Sequence, residues 1–209
     1  MQLSGDVPKS LIDFAGETIY DKSDISGYVF GGAEDFEACK LSNKLYSFKI
    51  EEDEINFTEI KALDSKLPSA RSGSSLSTRQ AKKLFVIGGM DEMAYNLDIW
   101  IANVDQNQVK WENIAINGSN PEGRYTHKTV LLGNKHVLLG GGNAMWSASF
   151  DYLTTFDPVA KEFILIETKP DQTHGFPIAR KFHAVDQYEN EVYLIGGCKA
   201  ISTESKEVC

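Results

Sequence analysis

"LFVIGG", residues 84–89, sets the problem: four apolar residues in a row close on two adjacent glycines. The run reads as a strand. A glycine pair at the end of a strand forfeits side-chain packing and costs backbone entropy, so some local demand must hold it there. The demand recurs. "GYVFGG" ends at Gly32, "HVLLGGG" at Gly142 and "VYLIGG" at Gly197. The first glycines fall at 31, 88, 140 and 196, intervals of 57, 52 and 56 residues.

A second signal keeps step with the first. "PSAR" at 68, "PEGR" at 121 and "PIAR" at 177 precede three of the doublets, and "PKSL" at 8 is a degenerate copy without the arginine. Arg71, Arg124 and Arg180 stand 17, 16 and 16 residues ahead of their glycine pairs. Three positions after each arginine come Ser74, His127 and His183, and Phe14 holds that offset in the first copy. Downstream, "NKLYSFKI", "LDIWIANVD" and "LTTFDPV" read as strands with ring positions at Tyr46, Trp100 and Phe156. Another strand then opens on a lone aromatic, Phe57, Trp111 or Phe163; the last two each lie 22 residues after the second glycine.

Each unit is therefore expected to hold four short strands separated by polar turns, with no helical periodicity of any length. A four-stranded unit of about 50 residues has the size of one propeller blade. The glycine doublet, the spaced aromatics and the Arg-x-x-His/Ser step together resemble the kelch repeat over nearly the whole chain. The resemblance implies an all-β, kelch-type β-propeller with blades around a central channel. It gives blade units of about 8–67, 68–120, 121–176 and an incomplete 177–209. It makes Gly31, Gly32, Gly88, Gly89, Gly140, Gly141, Gly196 and Gly197 structural, closing the second strand of each blade, with Trp100 and Trp111 as packing residues.

The units do not close a ring. First-and-second-strand halves occur four times and third-and-fourth-strand halves three times, about three and a half blades, where kelch propellers close with about six or seven. Twelve residues follow Gly197, enough for a loop and one short strand, and seven precede Pro8, too few to supply missing outer strands. Three completions stay open: further blades from a longer chain, a second chain, or an unusually small propeller.

Composition narrows the function. A formal charge of −9 argues against nucleic acid or an acidic membrane as partner. No apolar run approaches the roughly 18 residues a membrane span needs, and the first residues lack the pattern of a secretory signal. Cys39, Cys198 and Cys209 are few and not in metal-binding spacing, which fits a reducing, cytoplasmic setting; Cys198, just after its doublet, reads as exposed on a loop. The histidines (His127, His136, His174, His183) have no ligands at zinc spacing, and the matching places of His127 and His183 point to bonds with backbone or an adjacent blade. No nucleophile elbow, phosphate loop or dinucleotide fingerprint is present, so no enzyme activity, cofactor or metal is expected.

What remains is binding. The loops after the doublets differ among the copies and carry Met93, Tyr95, Met145 and Trp146, side chains suited to anchoring a partner. The resemblance to kelch adaptors implies that Arg71, Arg124 and Arg180 crown the channel mouth and grip an acidic peptide motif, since guanidinium pairs bidentately with carboxylates. The competing assignment is that each arginine bonds carbonyls or acids of its own or the next blade. The expected function is a protein-interaction scaffold; the alternative is an enzyme on a kelch propeller, of the sugar epimerase or oxidase type.

Overall fold

The computed structural model describes residues 1–9, 11–22, 24–35, 40–80 and 82–199, and every regular element among them is a β-strand. The first module opens with β1 (Gln2–Gly5), β2 (Ala15–Asp21) and β3 (Asp24–Phe30). A small hairpin, β4 (Ala33–Asp35) and β5 (Lys40–Leu41), leads to β6 (Leu45–Glu51) and β7 (Glu54–Ala62). Strands β2, β3, β6 and β7 pair antiparallel in that order. The residues ahead of Pro8 do supply an outer strand, but to the first blade: β1 lies parallel to β7 with Gln2 opposite Glu54.

The second module is β8 (Ser75–Gln80), β9 (Lys83–Met90), β10 (Tyr95–Asp105) and β11 (Gln108–Asn113). The third is β12 (Lys128–Leu132), β13 (Lys135–Leu139), β14 (Tyr152–Asp157) and β15 (Glu162–Glu167). Both pair in sequence order, and the start of β11, Gln108 and Val109, joins the end of β7. The fourth has β16 (Arg180–Lys181), a hairpin of β17 (Ala184–Tyr188) and β18 (Glu191–Ile195), and β19 (Cys198–Lys199), which returns to pair with β16. The inner strands β2, β8, β12 and β17 touch in succession and line the channel.

The core lies between blades, which explains the unbroken apolar runs before the glycines. Successive residues of a strand point to opposite faces. In β9, Leu84 and Val86 pack toward the first blade with Phe30, Leu45 and Trp111. Phe85 and Ile87 pack toward the third with Leu138 and Phe156. In β13, Leu138 joins that second layer, whereas Val137 and Leu139 meet Val185 and Leu194 of the fourth blade. Each fully buried side chain of this kind contributes about 1.5–3 kcal/mol. Trp111 is buried with its ring 5.3 Å from that of Phe30, and Trp100 packs on the same layer while its Nε1 donates to Asp98 at 2.7 Å.

The doublets are where consecutive blades touch through their backbones. The second glycine of each (Gly32, Gly89, Gly141) donates its N–H to the carbonyl of the next blade's arginine, Arg71, Arg124 and Arg180, at 2.9, 2.9 and 3.0 Å. The first glycine lies under the same carbonyl. A Cβ on Gly140, whose φ is +59°, would stand 2.7 Å from the Arg180 oxygen and 2.6 Å from the His183 ring. Neither space nor backbone conformation admits a side chain there.

Candidate functional site at the channel mouth

The arginines do not crown the mouth. Arg71 is 2% exposed; its guanidinium takes both oxygens of Asp98, at 2.6 and 3.1 Å, and donates to the Gly88 carbonyl at 2.9 Å. Arg124 is buried, donates to Thr154 Oγ1 at 2.8 Å and faces the Trp146 ring at 5.1 Å; burial lowers its pKa to about 10. Asp98 and Thr154 occupy the same place in their repeats, second in "LDIW" and "LTTF". Arg180 is half-buried and donates to the Gly196 carbonyl at 2.9 Å. Of the two assignments, the one in which each arginine bonds within its own blade holds, and the girdle of guanidinium groups at the mouth is corrected: Arg71 bonds the Ser69 and Gly88 carbonyls and Asp98, Arg124 the third-strand Thr154, and Arg180 the Ile178 and Gly196 carbonyls.

The histidines serve the contacts between blades. His127 is fully buried and its Nε2 bonds Ser75 Oγ at 3.0 Å, while His136 Nδ1 bonds Ser77 Oγ at 2.8 Å. Desolvation holds the His127 pKa well below the usual value. His174 pairs with Asp171 at 3.0 Å on an exposed loop. Cys198 is buried and disulfide-bonded, not exposed on a loop; Cys39, Cys209 and the residues after 199 lie outside the described residues. Among the described residues, no three His, Cys, Asp or Glu side chains are grouped to hold a metal ion.

A feature the doublets conceal sits two residues after each arginine. Asp13, Gly73, Thr126 and Phe182 all adopt left-handed backbone, with φ from 54° to 62°. There the chain turns from blade to blade: Gly73 N–H donates to the Asp13 carbonyl at 2.8 Å, and Thr126 N–H to that of Gly73 at 2.7 Å. A Cβ on Gly73 would meet an Asp13 carboxyl oxygen and the Thr126 nitrogen, each at 2.8 Å, so glycine keeps this crossing open. Asp13 and Phe182, the first and last residues of the set, face the channel.

They line a cavity of about 970 Å³ together with Ile12, Phe14, Lys128 and His183. Glu34 and Asp35 reach its edge. Phe14 and Phe182 are 42% and 44% exposed, aromatic surface left open to solvent. Burial raises the Asp13 pKa to about 6, against the opposing charge of Lys128. Deeper in the channel, burial raises Glu17 to about 7. The His183 pKa falls to about 4 through burial and the Lys128 charge, opposed by the Leu139 backbone.

An aromatic line leads away from this cavity. The Phe182 ring meets Tyr125 edge-on at 5.9 Å, and Tyr125 lies 5.3 Å from Tyr95. Lys181 sits 5.5 Å over Tyr125 and donates to the Asn143 carbonyl at 2.7 Å. Of the loop residues singled out in the sequence, Tyr95 joins this line, and Trp146 is half-buried against Arg124. Met93 and Met145 stand 91% and 78% exposed in the β9–β10 and β13–β14 loops. The motifs do not mark Phe182, Asp13 and Lys128 as lining this cavity; the column two places after each arginine, or after Leu11 in the first copy, holds Phe182 and Asp13.

Known proteins are similar to this chain in sequence. Human Kelch domain-containing protein 10 is 30% identical over 135 residues, covering 63% of this chain and 30% of that protein. Kelch domain-containing protein 3 of Rattus norvegicus is 24% identical over 180 residues, 83% of this chain and 44% of the relative. The N-(sulfonatooxy)prop-2-enimidothioate sulfolyase of Thlaspi arvense is 31% identical over 132 residues, 63% of this chain and 36% of the enzyme. The chain spans under half the length of these relatives. The family model described as the KLHDC2/KLHL20/DRC7 Kelch-repeats domain matches residues 1–199, the same stretch that carries the four doublets and their interblade bonds. The chain belongs to the kelch-repeat family, and its modules are the blades of a partial kelch β-propeller.

Proposed function

We propose that the chain is a protein-interaction platform whose binding face is the channel mouth and the loops beside it. One observation carries this reading: the aromatic line Tyr95–Tyr125–Phe182 runs from the first residue of β10 to an open cavity walled by Phe14 and Phe182. Rigid rings at the edge of a preformed concavity lose little conformational freedom on binding and supply large contact area. The strands beneath them are fixed by bonds between blades, so the face is held ready. Membership in a family of interaction scaffolds agrees with this at the coarse level.

The test replaces exposed residues only. The triple substitution Met93→Ser, Met145→Ser, Phe182→Ala is expected to abolish capture of cross-linked partner proteins with the melting temperature unchanged. Undiminished capture by the triple variant refutes the placement of the face. The second reading, an enzyme, is favoured by Asp13 and Glu17, two channel carboxylates raised toward neutrality, and by the sulfolyase among the relatives. It predicts a small-molecule turnover that Glu17→Gln removes while protein capture persists.

A further inference from the structure

We infer that the channel mouth receives a basic side chain, a guanidinium or ammonium group flanked by apolar residues, from the partner. This deepens the platform reading and rests on it. It reverses the acidic motif that the repeated arginines suggest, because those arginines are committed inside their own blades.

Four features of the cavity converge on a cationic donor. Among the described residues, the Asp13 carboxylate, which lines the cavity, has neither hydrogen bond nor ion pair, and its charge is answered at longer range by Lys128. A half-buried carboxylate without a partner favours a ligand that brings the opposite charge. His183 is 1% exposed and lines the same cavity, and among the described residues no side chain hydrogen-bonds either of its ring nitrogens. The reason is visible in the repeat. His127 meets Ser75, four places after Arg71, whereas the corresponding residue four places after Arg124 is Lys128, which makes no bond to His183.

Burial, with the neighbouring positive charge of Lys128, keeps the His183 imidazole neutral, so one nitrogen carries a lone pair. An N–H donor satisfies that lone pair; a carboxylate does not. The faces of Phe14 and Phe182 attract a cation and cover its methylene stem. The lining carries the acidic Glu34 as well, although it is shared with Lys40 at 2.8 Å. Among the residues lining the cavity, Lys128 opposes the assignment, and its flexible stem lets the ammonium swing toward solvent.

Three blocked peptides, acetyl-Leu-Arg-Leu-amide and its citrulline and glutamate counterparts, test this against the 209-residue chain by isothermal titration. The arginine peptide is expected to bind at least about tenfold more tightly than the citrulline one, which has the same shape without the charge. Asp13→Asn, at a half-exposed position, removes that preference while leaving the melting temperature within a few degrees, and Phe182→Ala weakens both peptides. Tighter binding of the glutamate peptide, equal or no binding of all three, or an arginine preference that survives Asp13→Asn overturns the inference. Loss of protein capture in the triple variant, alongside a failed peptide preference, leaves the platform standing and removes only its charge assignment.

Discussion

The second blade and the fourth carry nearly the same sentence, "LFVIGG" and "VYLIGG", in different surroundings. In the second, both faces of the run are covered: Leu84, Phe85, Val86 and Ile87 are all buried. In the fourth, Leu194 packs on the third blade, but Tyr193 and Ile195, pointing the other way, are 47% and 63% exposed. The glycines differ in the same sense. A Cβ on Gly88 would stand 3.0 Å from the Arg124 carbonyl, whereas one on Gly196 would meet nothing within 4 Å. The comparison separates two reasons for the doublet that the sequence joins. The second glycine makes room for its own blade, and Gly197, 2.5 Å from the Lys181 oxygen by the same measure, retains that reason. The first makes room for the following blade.

The sharpest way to break this distinction is to add the missing methyl. Gly140→Ala forces a Cβ to within 2.7 Å of the Arg180 backbone at a left-handed φ, and is expected to cost about 3 kcal/mol or more, a drop of roughly 6–12 °C in melting temperature. Gly196→Ala faces open space and meets only the conformational penalty, about 1 kcal/mol or roughly 2–4 °C. Calorimetric melting of both variants decides it. Equal losses would mean that the first glycine is retained for its backbone angle alone.

The arginines give a second, smaller contrast. Arg71 and Arg180 stand at the same repeat position, but only Arg71 has a carboxylate on the third strand, in Asp98. Arg71→Ala leaves Asp98 half-buried with only the Trp100 N–H to answer its charge among the described residues, and is expected to cost about 2–3 kcal/mol by urea unfolding, after allowance for the solvent that reaches Asp98. Arg180→Ala forfeits bonds to two carbonyls at an exposed edge, about 1 kcal/mol. A larger loss at Arg180 would show that the edge of the fourth blade is more firmly built than its exposure indicates.

How far the sequence discloses all this follows from which interactions are periodic. The doublets and the ring positions repeat because every blade meets the same packing problem, so Gly88, Trp111 and their counterparts announce the propeller. The burial of Arg71 was one of two assignments open from sequence, and its decisive partner, Asp98, has Thr154 in its place one blade later, so no repeated acid marked it. The left-handed crossing at Asp13, Thr126 and Phe182 is not legible in the sequence, because of the four copies Gly73 alone has a glycine there. The site is harder to read for the same reason: it is built from departures from the repeat. Phe14 stands where other copies have serine or histidine, Lys128 where one has serine, and the cavity exists between blades far apart in the chain.

Glu17 is the finest gauge of the boundary between the first and fourth blades. It lies on β2, yet lines a channel cavity with Val185 and Asp186 of β17. Burial there raises its folded pKa to about 7 from an ordinary 4.5. Between these values the folded chain binds the proton more tightly than the unfolded one, so its effect is to lower stability as pH rises through that window. Glu17→Gln is then expected to raise stability at pH 8 by about 1 kcal/mol, discounted for solvent screening, and to change little at pH 4.5. His183 acts with the opposite sign: its folded pKa of about 4 lies below the ordinary 6.5, so the stability it confers is present above 6.5 and lost as pH falls toward 4. With Glu17 replaced, the melting temperature should therefore fall more steeply on acidification than in the parent chain. An unchanged profile would mean that water fills the cleft between these blades and that Glu17 is solvated like a surface carboxylate.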